Sequence, residues 1–193
     1  MRKWYNVIFA ILRPLAAILY PMRVERRGEI PAGSAIICAN HSSFIDPVLV
    51  ALAFGAKEHF LHFMVKMELA KIPIVGAILL KMGSFFVDRS FGSDAIRITM
   101  KLLKNQEKVM MFPEGTRVSQ DDSIAAKSGA VRLAMKMDAP LVPVFIPRDK
   151  RIFRRVKLVI GEPYTIEKQS GSDNEELSNE LMGKIKSLGA EEE

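Results

Sequence analysis

The sequence predicts an α/β fold, a single domain with a mostly parallel or mixed sheet flanked by helices. From residue 24 onward, short apolar runs alternate with segments of helical periodicity, and no internal repeat is evident. The length of 193 residues suits one domain whose core needs no covalent staples. The single cysteine, Cys38, excludes an intrachain disulfide framework and a multi-cysteine zinc site. Together these observations favour a core built from a sheet and its helices.

The first 22 residues are expected to precede this domain as a short two-helix membrane-binding segment. Arg13 and Pro14 divide the apolar stretch into residues 4–12 and 15–22, and neither half has the roughly 20 apolar residues of a spanning helix. Basic residues flank both halves, which is typical of helices that lie in the membrane interface. These cations are Arg2, Lys3, Arg13, Arg23, Arg26 and Arg27. The alternative is a helical hairpin that packs only on the domain's own core.

The elements of the main domain, residues 23–167, follow from the apolar runs and the periodic segments between them. Candidate strands are residues 35–39, 60–65, 84–87, 109–112, 141–146 and 156–160. Candidate helices are residues 47–54, 74–82, 94–105, 129–137 and 175–187. Strands that alternate with helices are typical of crossover connections between parallel strands. The last part of the chain, residues 168–193, is expected to be a polar linker and a C-terminal helix.

The charge of the chain favours an anionic partner, since 28 Lys and Arg against 22 Asp and Glu give a net charge of +6. On charge alone, nucleic acid, a phospholipid surface and a phosphorylated substrate remain open. The mean hydropathy of +0.11 is high for a chain that is 26% charged, which indicates more apolar surface than a small core uses.

Polar and titratable residues follow four of the predicted strands, at the point where each strand ends. These residues are Asn40, His41 and Asp46, then Lys66, then Asp88 and Arg89, then Glu114, Gly115, Thr116 and Arg117. In open α/β sheets, ligands bind beyond the carboxyl ends of the strands. We therefore expect one functional site at this edge of the sheet.

His41 follows a predicted strand, and Asp46 stands five residues later, where Asp46-Pro47 favours the start of a helix with Asp46 as its N-cap. A carboxylate bonded to one imidazole nitrogen fixes the tautomer and raises the basicity of the other nitrogen. No Ser or Cys stands in an evident nucleophile turn, so such a base would act directly on a hydroxyl of the substrate. The alternative is that Asp46 only caps the helix and that His41 is an ordinary loop residue.

Residues 112–117 follow a buried strand and combine a glycine, a hydroxyl and an arginine. Gly115 allows close approach to the backbone, Thr116 offers its hydroxyl, and Arg117 can bind a phosphate through two parallel hydrogen bonds. With Arg89 at the same edge, these groups would form a phosphate pocket. The alternative is a strand-exit turn whose arginines form surface salt bridges.

The pair His59 and His62 is not expected to bind a metal. Residues three apart on a strand point to opposite faces, and the apolar neighbours of these histidines favour a strand. No metal site is therefore predicted.

Four motifs occur in a fixed order along the chain. They are Asn40-His41-x-Ser43-x-x-Asp46, Gly83-x-x-Phe86-x-x-Arg89, Phe112-Pro113-Glu114-Gly115-Thr116-Arg117 and Val142-Pro143-Val144. Together they resemble the four blocks of the glycerophospholipid acyltransferase family, most closely its bacterial 1-acylglycerol-3-phosphate acyltransferase branch. The resemblance covers roughly residues 23–165, and the basic N-terminal segment also resembles the membrane-binding two-helix segment of some members.

The resemblance implies roles for these residues. His41 and Asp46 would form a catalytic dyad in which Asp46 orients the histidine that takes the proton. Contacts to the phosphate of the acceptor are implied for Arg89, Glu114, Gly115, Thr116 and Arg117. Lys66 matches a family lysine, for which phosphate binding and stabilisation of the developing oxyanion are both open.

The implied reaction transfers a fatty acyl group from acyl-CoA or acyl-ACP to the free hydroxyl of 1-acylglycerol-3-phosphate and gives phosphatidate. The thioester is a co-substrate, and no cofactor is implied. The expected location is the cytoplasmic face of the cell membrane, where a monotopic or peripheral enzyme contacts anionic phospholipid rather than nucleic acid. One alternative is a related acyltransferase with another lysophospholipid or a glycerol phosphate as acceptor. Another is a non-enzymatic basic membrane-binding module.

Overall fold

The structure is a computed structural model that describes residues 2–55, 59–87, 92–118, 126–167 and 173–190. Within these residues, a seven-stranded sheet forms the centre of the molecule. The strands are β1 (Met22–Arg26), β2 (Ala35–Ala39), β3 (Leu61–Lys66), β4 (Phe85–Val87), β5 (Lys108–Met111), β6 (Leu141–Phe145) and β7 (Val156–Ile160). Their order across the sheet is β1-β7-β6-β2-β5-β3-β4.

The strands β6, β2, β5, β3 and β4 are parallel neighbours, so their carboxyl ends lie at the same edge of the sheet. In contrast, β7 pairs antiparallel with β6 and parallel with β1. The sheet is therefore mixed, and β2 is the fourth of its seven strands, with parallel neighbours on both sides.

Different helices cover the two faces of the sheet. They are α1 (Arg2–Leu19), α2 (Asp46–Phe54), α3 (Met67–Ala70), α4 (Pro73–Lys81), α5 (Gly92–Lys104), α6 (Gly129–Met137) and α7 (Asn174–Ala190). Side chains alternate between the faces of a strand. Along β2, Ile37 packs with residues of α1 and α2, whereas Ile36 and Cys38 pack with residues of α5, α6 and α7. The fully buried side chains of Leu181 and Ile185 place α7 in the second of these two clusters.

The predicted α/β class, the mixed sheet and its flanking helices are confirmed. Residues 35–39 and 156–160 are strands, and residues 129–137 are a helix, at the predicted bounds. The edge strand β1 is absent from the predicted elements because its polar sequence, Met22-Arg-Val-Glu-Arg26, resembles a basic flank of the preceding helix.

The expectation of two short N-terminal helices is wrong, because α1 is one continuous helix through Pro14. Proline removes one intrahelical hydrogen bond. However, Tyr5 and Phe9 before it and Ala16 after it are buried on the same side of the helix, so packing holds both halves in line. Among the described residues, no helix is both long and apolar enough to cross a membrane.

Candidate active site

The candidate site begins where β2 ends, at a side chain that joins two strands. The Nδ2 group of Asn40 donates to the carbonyl of Ile146 at 2.7 Å, and the backbone N–H of Ile146 donates to Oδ1 of Asn40 at 2.9 Å. Asn40 is buried, so both bonds are shielded from water. They fix the start of the loop after β2 against the end of β6.

The next residue, His41, is paired with Asp46. Nδ1 of His41 lies 3.0 Å from Oδ2 of Asp46, and the carboxylate is fully buried. The imidazole ring stacks on Phe112 with 3.9 Å between ring centroids. The ring is thus held by a hydrogen bond at one edge and by an aromatic face.

The loop between these residues curls around the carboxylate of Asp46. The backbone N–H groups of Ser42 and Ser43 each donate to Oδ2 at 2.7 Å. The predicted N-cap role of Asp46 is wrong, because Ile45 occupies the cap position of α2 and the carboxylate bonds back to residues 41–43. Asp46 is therefore a loop-organising acid at the first residue of the helix.

A buried lysine from another part of the chain completes the surroundings of Asp46. Nζ of Lys150 lies 2.9 Å from Oδ1 of Asp46, and the lysine side chain is only 3% exposed. The same ammonium group donates to Oγ of Ser42 at 2.7 Å and to the carbonyl of Pro147 at 2.5 Å. Two hydrogen bonds and one ion pair therefore hold this ammonium group in place.

This environment sets the charge of Asp46. Burial by itself disfavours the carboxylate. However, the hydrogen bond with His41, the charge of Lys150 and the N–H groups of Ser43 and Ser42 outweigh burial and hold the pKa of Asp46 below its usual value. An ionised carboxylate only accepts hydrogen bonds, so Nδ1 of His41 carries the proton. The lone pair of Nε2 is then available to accept a proton from a substrate.

Glu114 lies beneath this loop and is 2% exposed. Its Oε2 accepts the backbone N–H of His41 at 2.9 Å, and its Oε1 pairs with the guanidinium of Arg148. Arg148 also donates to the carbonyl of Val118 at 2.6 Å, and the N–H of Val118 donates to the carbonyl of His41 at 2.8 Å. These contacts join the loops that follow β2, β5 and β6.

Arg148 and Lys150 are absent from the site residues that the sequence predicts. Both follow β6, whose carboxyl end lies beside that of β2 in the parallel sheet. The rule that selects polar residues beyond the carboxyl ends of strands finds both of them when it is applied to β6 as well.

The turn after β5 carries Gly115, Thr116 and Arg117. Gly115 has φ of +67°, and the Lys127 side chain passes so close that an added Cβ would lie 2.5 Å from its Cε. The positive φ favours glycine here, whereas the flexible end of Lys127 can move aside. Thr116 and Arg117 are exposed, and the guanidinium carbon of Arg117 lies 3.7 Å from the centroid of the Phe44 ring.

Lys66 is exposed at the carboxyl end of β3, where its Cα is the register partner of Val87 in β4. Arg89, two residues beyond Val87, lies outside the described residues. The described part of the predicted phosphate pocket is therefore Lys66 together with the turn at residues 114–117.

His62 has a different role from the site residues. It is buried in β3, and its Nδ1 lies 2.9 Å from the carbonyl of Gly83. This bond ties the strand to the turn before β4. Within the described ranges, no group of three or more His, Cys, Asp or Glu side chains could hold a metal ion.

Comparisons with known proteins give a consistent result. The acyltransferase family model matches residues 21–147. A 1-acyl-sn-glycerol-3-phosphate acyltransferase of Bacillus subtilis is 35% identical over 166 residues, which cover 82% of this chain and 81% of that protein. The beta form of this enzyme from Homo sapiens is 32% identical over 129 residues, which cover 65% of this chain and 45% of the human protein.

The fold also resembles a solved structure. The crystal structure of the 1-acyl-sn-glycerophosphate acyltransferase PlsC from Thermotoga maritima superposes with a TM-score of 0.67 at 26% sequence identity. The match covers 98% of this chain and 77% of that one. By contrast, the chain spans only about half the length of several relatives, such as the Borreliella burgdorferi protein, of which it covers 50%.

Proposed function

The chain belongs to the acyltransferase family, and we propose that this O-acyltransferase acylates the free hydroxyl of 1-acylglycerol-3-phosphate to give phosphatidate. The acyl group comes from a thioester, either acyl-CoA or acyl-ACP. The proposed reaction needs no cofactor beyond this co-substrate. The observation that carries the proposal is the 3.0 Å contact between Nδ1 of His41 and Oδ2 of Asp46 at the end of β2.

In the proposed mechanism, Nε2 of His41 takes the proton of the acceptor hydroxyl as its oxygen attacks the thioester carbonyl. The carbon–sulfur bond then breaks, and the imidazolium returns the proton to the leaving thiolate. Asp46 keeps the ring in the required tautomer and stabilises its positive charge. No covalent acyl-enzyme is needed, because the attacking oxygen belongs to the acceptor.

We propose that the phosphate of the acceptor binds Gly115, Thr116 and Arg117, and that Arg89 also contacts it. The exposed positions of Thr116 and Arg117 support this placement. The carboxylate of Glu114 faces the N–H of His41 and Arg148, so its contribution is to hold the loop that carries these groups. Lys66, exposed at the carboxyl end of β3, binds the phosphate or the oxyanion.

The enzyme is proposed to work as a monotopic or peripheral protein on anionic phospholipid, at the cytoplasmic face of the cell membrane. The outer side of α1 supports this location. It presents a stripe of exposed apolar residues at helical spacing: Trp4, Val7, Ile11, Leu15 and Ile18. Since the opposite side of α1 already packs on the core, this stripe is free to enter a bilayer interface.

Thiol release from acyl-CoA or acyl-ACP by the purified chain tests the reaction. With lysophosphatidate, the wild type is expected to release thiol, and His41→Ala and Asp46→Ala are expected to be roughly 10²- to 10⁴-fold slower. Asp94→Ala is a matched control, because Asp94 forms an exposed ion pair with Arg97 on α5. No thiol release with lysophosphatidate, but release with another lysophospholipid or with glycerol phosphate, would assign a different acceptor.

A further inference from the structure

The loop between β6 and β7 carries an exposed segment, residues 151–155, which we call the β6–β7 tip. All of its side chains are exposed, and two of them are large and apolar. Ile152 is 54% exposed and Phe153 is 71% exposed. Three arginines, Arg151, Arg154 and Arg155, surround this apolar pair.

The backbone at Phe153 is strained. Its φ is +65°, in the left-handed region that bulky side chains rarely adopt. The conformation holds the aromatic ring out from the domain rather than against the core. A strained residue that exposes an apolar ring has no stabilising role in the fold, which points to a contact outside the molecule.

The β6–β7 tip is fixed to the end of α1. The N–H of Phe153 donates to the carbonyl of Leu19 at 2.6 Å, and the N–H of Val156 donates to the carbonyl of Pro21 at 2.7 Å. Leu19 is the last residue of α1, and the exposed stripe of that helix ends at Ile18, which is 63% exposed. The tip therefore lies beside the end of the exposed α1 stripe.

The arginines of the tip line a cleft of about 130 Å³ together with Pro147, Asp149 and Lys150. Arg151 pairs with Asp149 at 3.2 Å. Within the described part of the chain, no acidic partner is found for Arg154 or Arg155. Their guanidinium groups can therefore bind phosphate groups that approach from outside.

We propose that the β6–β7 tip is a second bilayer contact, in which Phe153 and Ile152 enter the interface while Arg154 and Arg155 bind anionic headgroups. The inference rests on the proposed membrane contact of α1. The exposed apolar pair and its position beside the end of the α1 stripe favour a bilayer over a soluble acidic protein. Because Lys150 contacts Asp46 only one residue before the tip begins, docking at the tip brings the candidate active site to headgroup level.

Cosedimentation of the full chain with phosphatidylcholine vesicles, with and without phosphatidylglycerol, tests the apolar half of the proposal. Phe153→Gly is the informative variant, because glycine adopts φ of +65° without strain, so the fold is expected to be retained. We expect its partition coefficient to fall about tenfold. Ile96→Ser is the matched control, since Ile96 is 43% exposed on α5, which packs on the opposite face of the sheet.

Charge reversal tests the proposed binding of anionic headgroups by Arg154 and Arg155. The variant Arg154→Glu with Arg155→Glu is expected to lose binding to phosphatidylglycerol-containing vesicles by roughly fivefold or more for each arginine. The control variant Lys101→Glu with Lys104→Glu changes the net charge equally on exposed positions of α5. This control variant is expected to lose much less of its binding to the same vesicles.

Several outcomes would overturn the proposal. One is that Phe153→Gly binds vesicles as strongly as the wild type. Another is that the control variants on α5 lose as much vesicle binding as the variants at the tip. A third is unchanged vesicle binding by the arginine variant with weaker binding of acyl-CoA or acyl-ACP, which would make the tip a donor site. Because no turnover is measured, failure of the proposed reaction does not affect the test. Loss of binding in Ile11→Ser but not in Phe153→Gly would keep the α1 contact and reject the tip.

Discussion

The ammonium group of Lys150 lies 2.9 Å from Oδ1 of Asp46, on the carboxylate oxygen that does not face His41. His41 and Asp46 are close in sequence, whereas Lys150 comes from the loop after β6. The dyad is thus extended to a row of three side chains, Lys150, Asp46 and His41. The lysine favours the ionised carboxylate and occupies its second oxygen.

Lys150→Met is expected to raise the pKa of Asp46, because the variant removes a cation that lowers this pKa. The pH-dependent contribution of Asp46 to folding stability should then shrink, and the free energy of unfolding at neutral pH should fall by about 3 kcal/mol because a buried ion pair is broken. Urea denaturation at several pH values measures both effects. Lys184→Met is the control, since Lys184 forms an exposed pair with Glu180. A pH dependence of the unfolding free energy equal to that of the wild type would contradict the role assigned to Lys150.

Asp46→Asn is expected to make folding stability less dependent on pH. The pKa of Asp46 is lower in the folded state, so its carboxylate contributes stability above its unfolded pKa of about 3.9 and loses that contribution as pH falls through the folded-state value. The difference in unfolding free energy between wild type and variant should therefore be largest near neutral pH and shrink in acid. Urea titrations at several pH values measure it. A difference that does not change with pH would count against the prediction.

Glu114→Gln is expected to lower the free energy of unfolding by about 2 kcal/mol, because Arg148 loses its partner while 17% exposed. In a double-mutant cycle with Arg148→Met, the two effects should be less than additive by at least about 1 kcal/mol. The exposed Arg97–Asp94 pair provides a control cycle with little coupling. Additive effects at Glu114 and Arg148 would show that the two side chains are not coupled.

Arg117→Ala is expected to raise KM for lysophosphatidate about tenfold, and KM for the acyl thioester much less, because a guanidinium–phosphate contact is lost. Arg89→Ala should behave in the same way. Steady-state kinetics with each substrate varied in turn measures the split. Arg97→Ala is the control, because the Arg97 side chain is 80% exposed on α5. Equal changes in both KM values would reject the phosphate assignment.

Features that depend on a short stretch of sequence could be predicted from the sequence. The buried strand at residues 35–39, and the residues that follow it, need only an apolar run and the rule about carboxyl ends of strands. The contacts of Lys150 were not predictable in this way, because they depend on β6 lying beside β2, more than a hundred residues away in the chain. The same holds for β1, a polar strand at one edge of the described sheet that pairs with β7.

The prediction of two N-terminal helices was wrong for a related reason. Pro14 interrupts a helix by its own chemistry, but the burial of Tyr5, Phe9 and Ala16 on one side overrides this local preference. The burial of Tyr5 is deep enough to raise the pKa of its hydroxyl to about 12. Tertiary packing thus decided the conformation where local signals pointed the other way.

The position of β2 has a consequence for how the protein loses activity on heating. β2 is hydrogen-bonded on both sides, to β5 and to β6, and all of its side chains are fully buried. The amides of such a strand exchange with deuterium only when the whole domain opens. Since β2 leads directly into His41, thermal inactivation should coincide with cooperative unfolding of the domain rather than precede it.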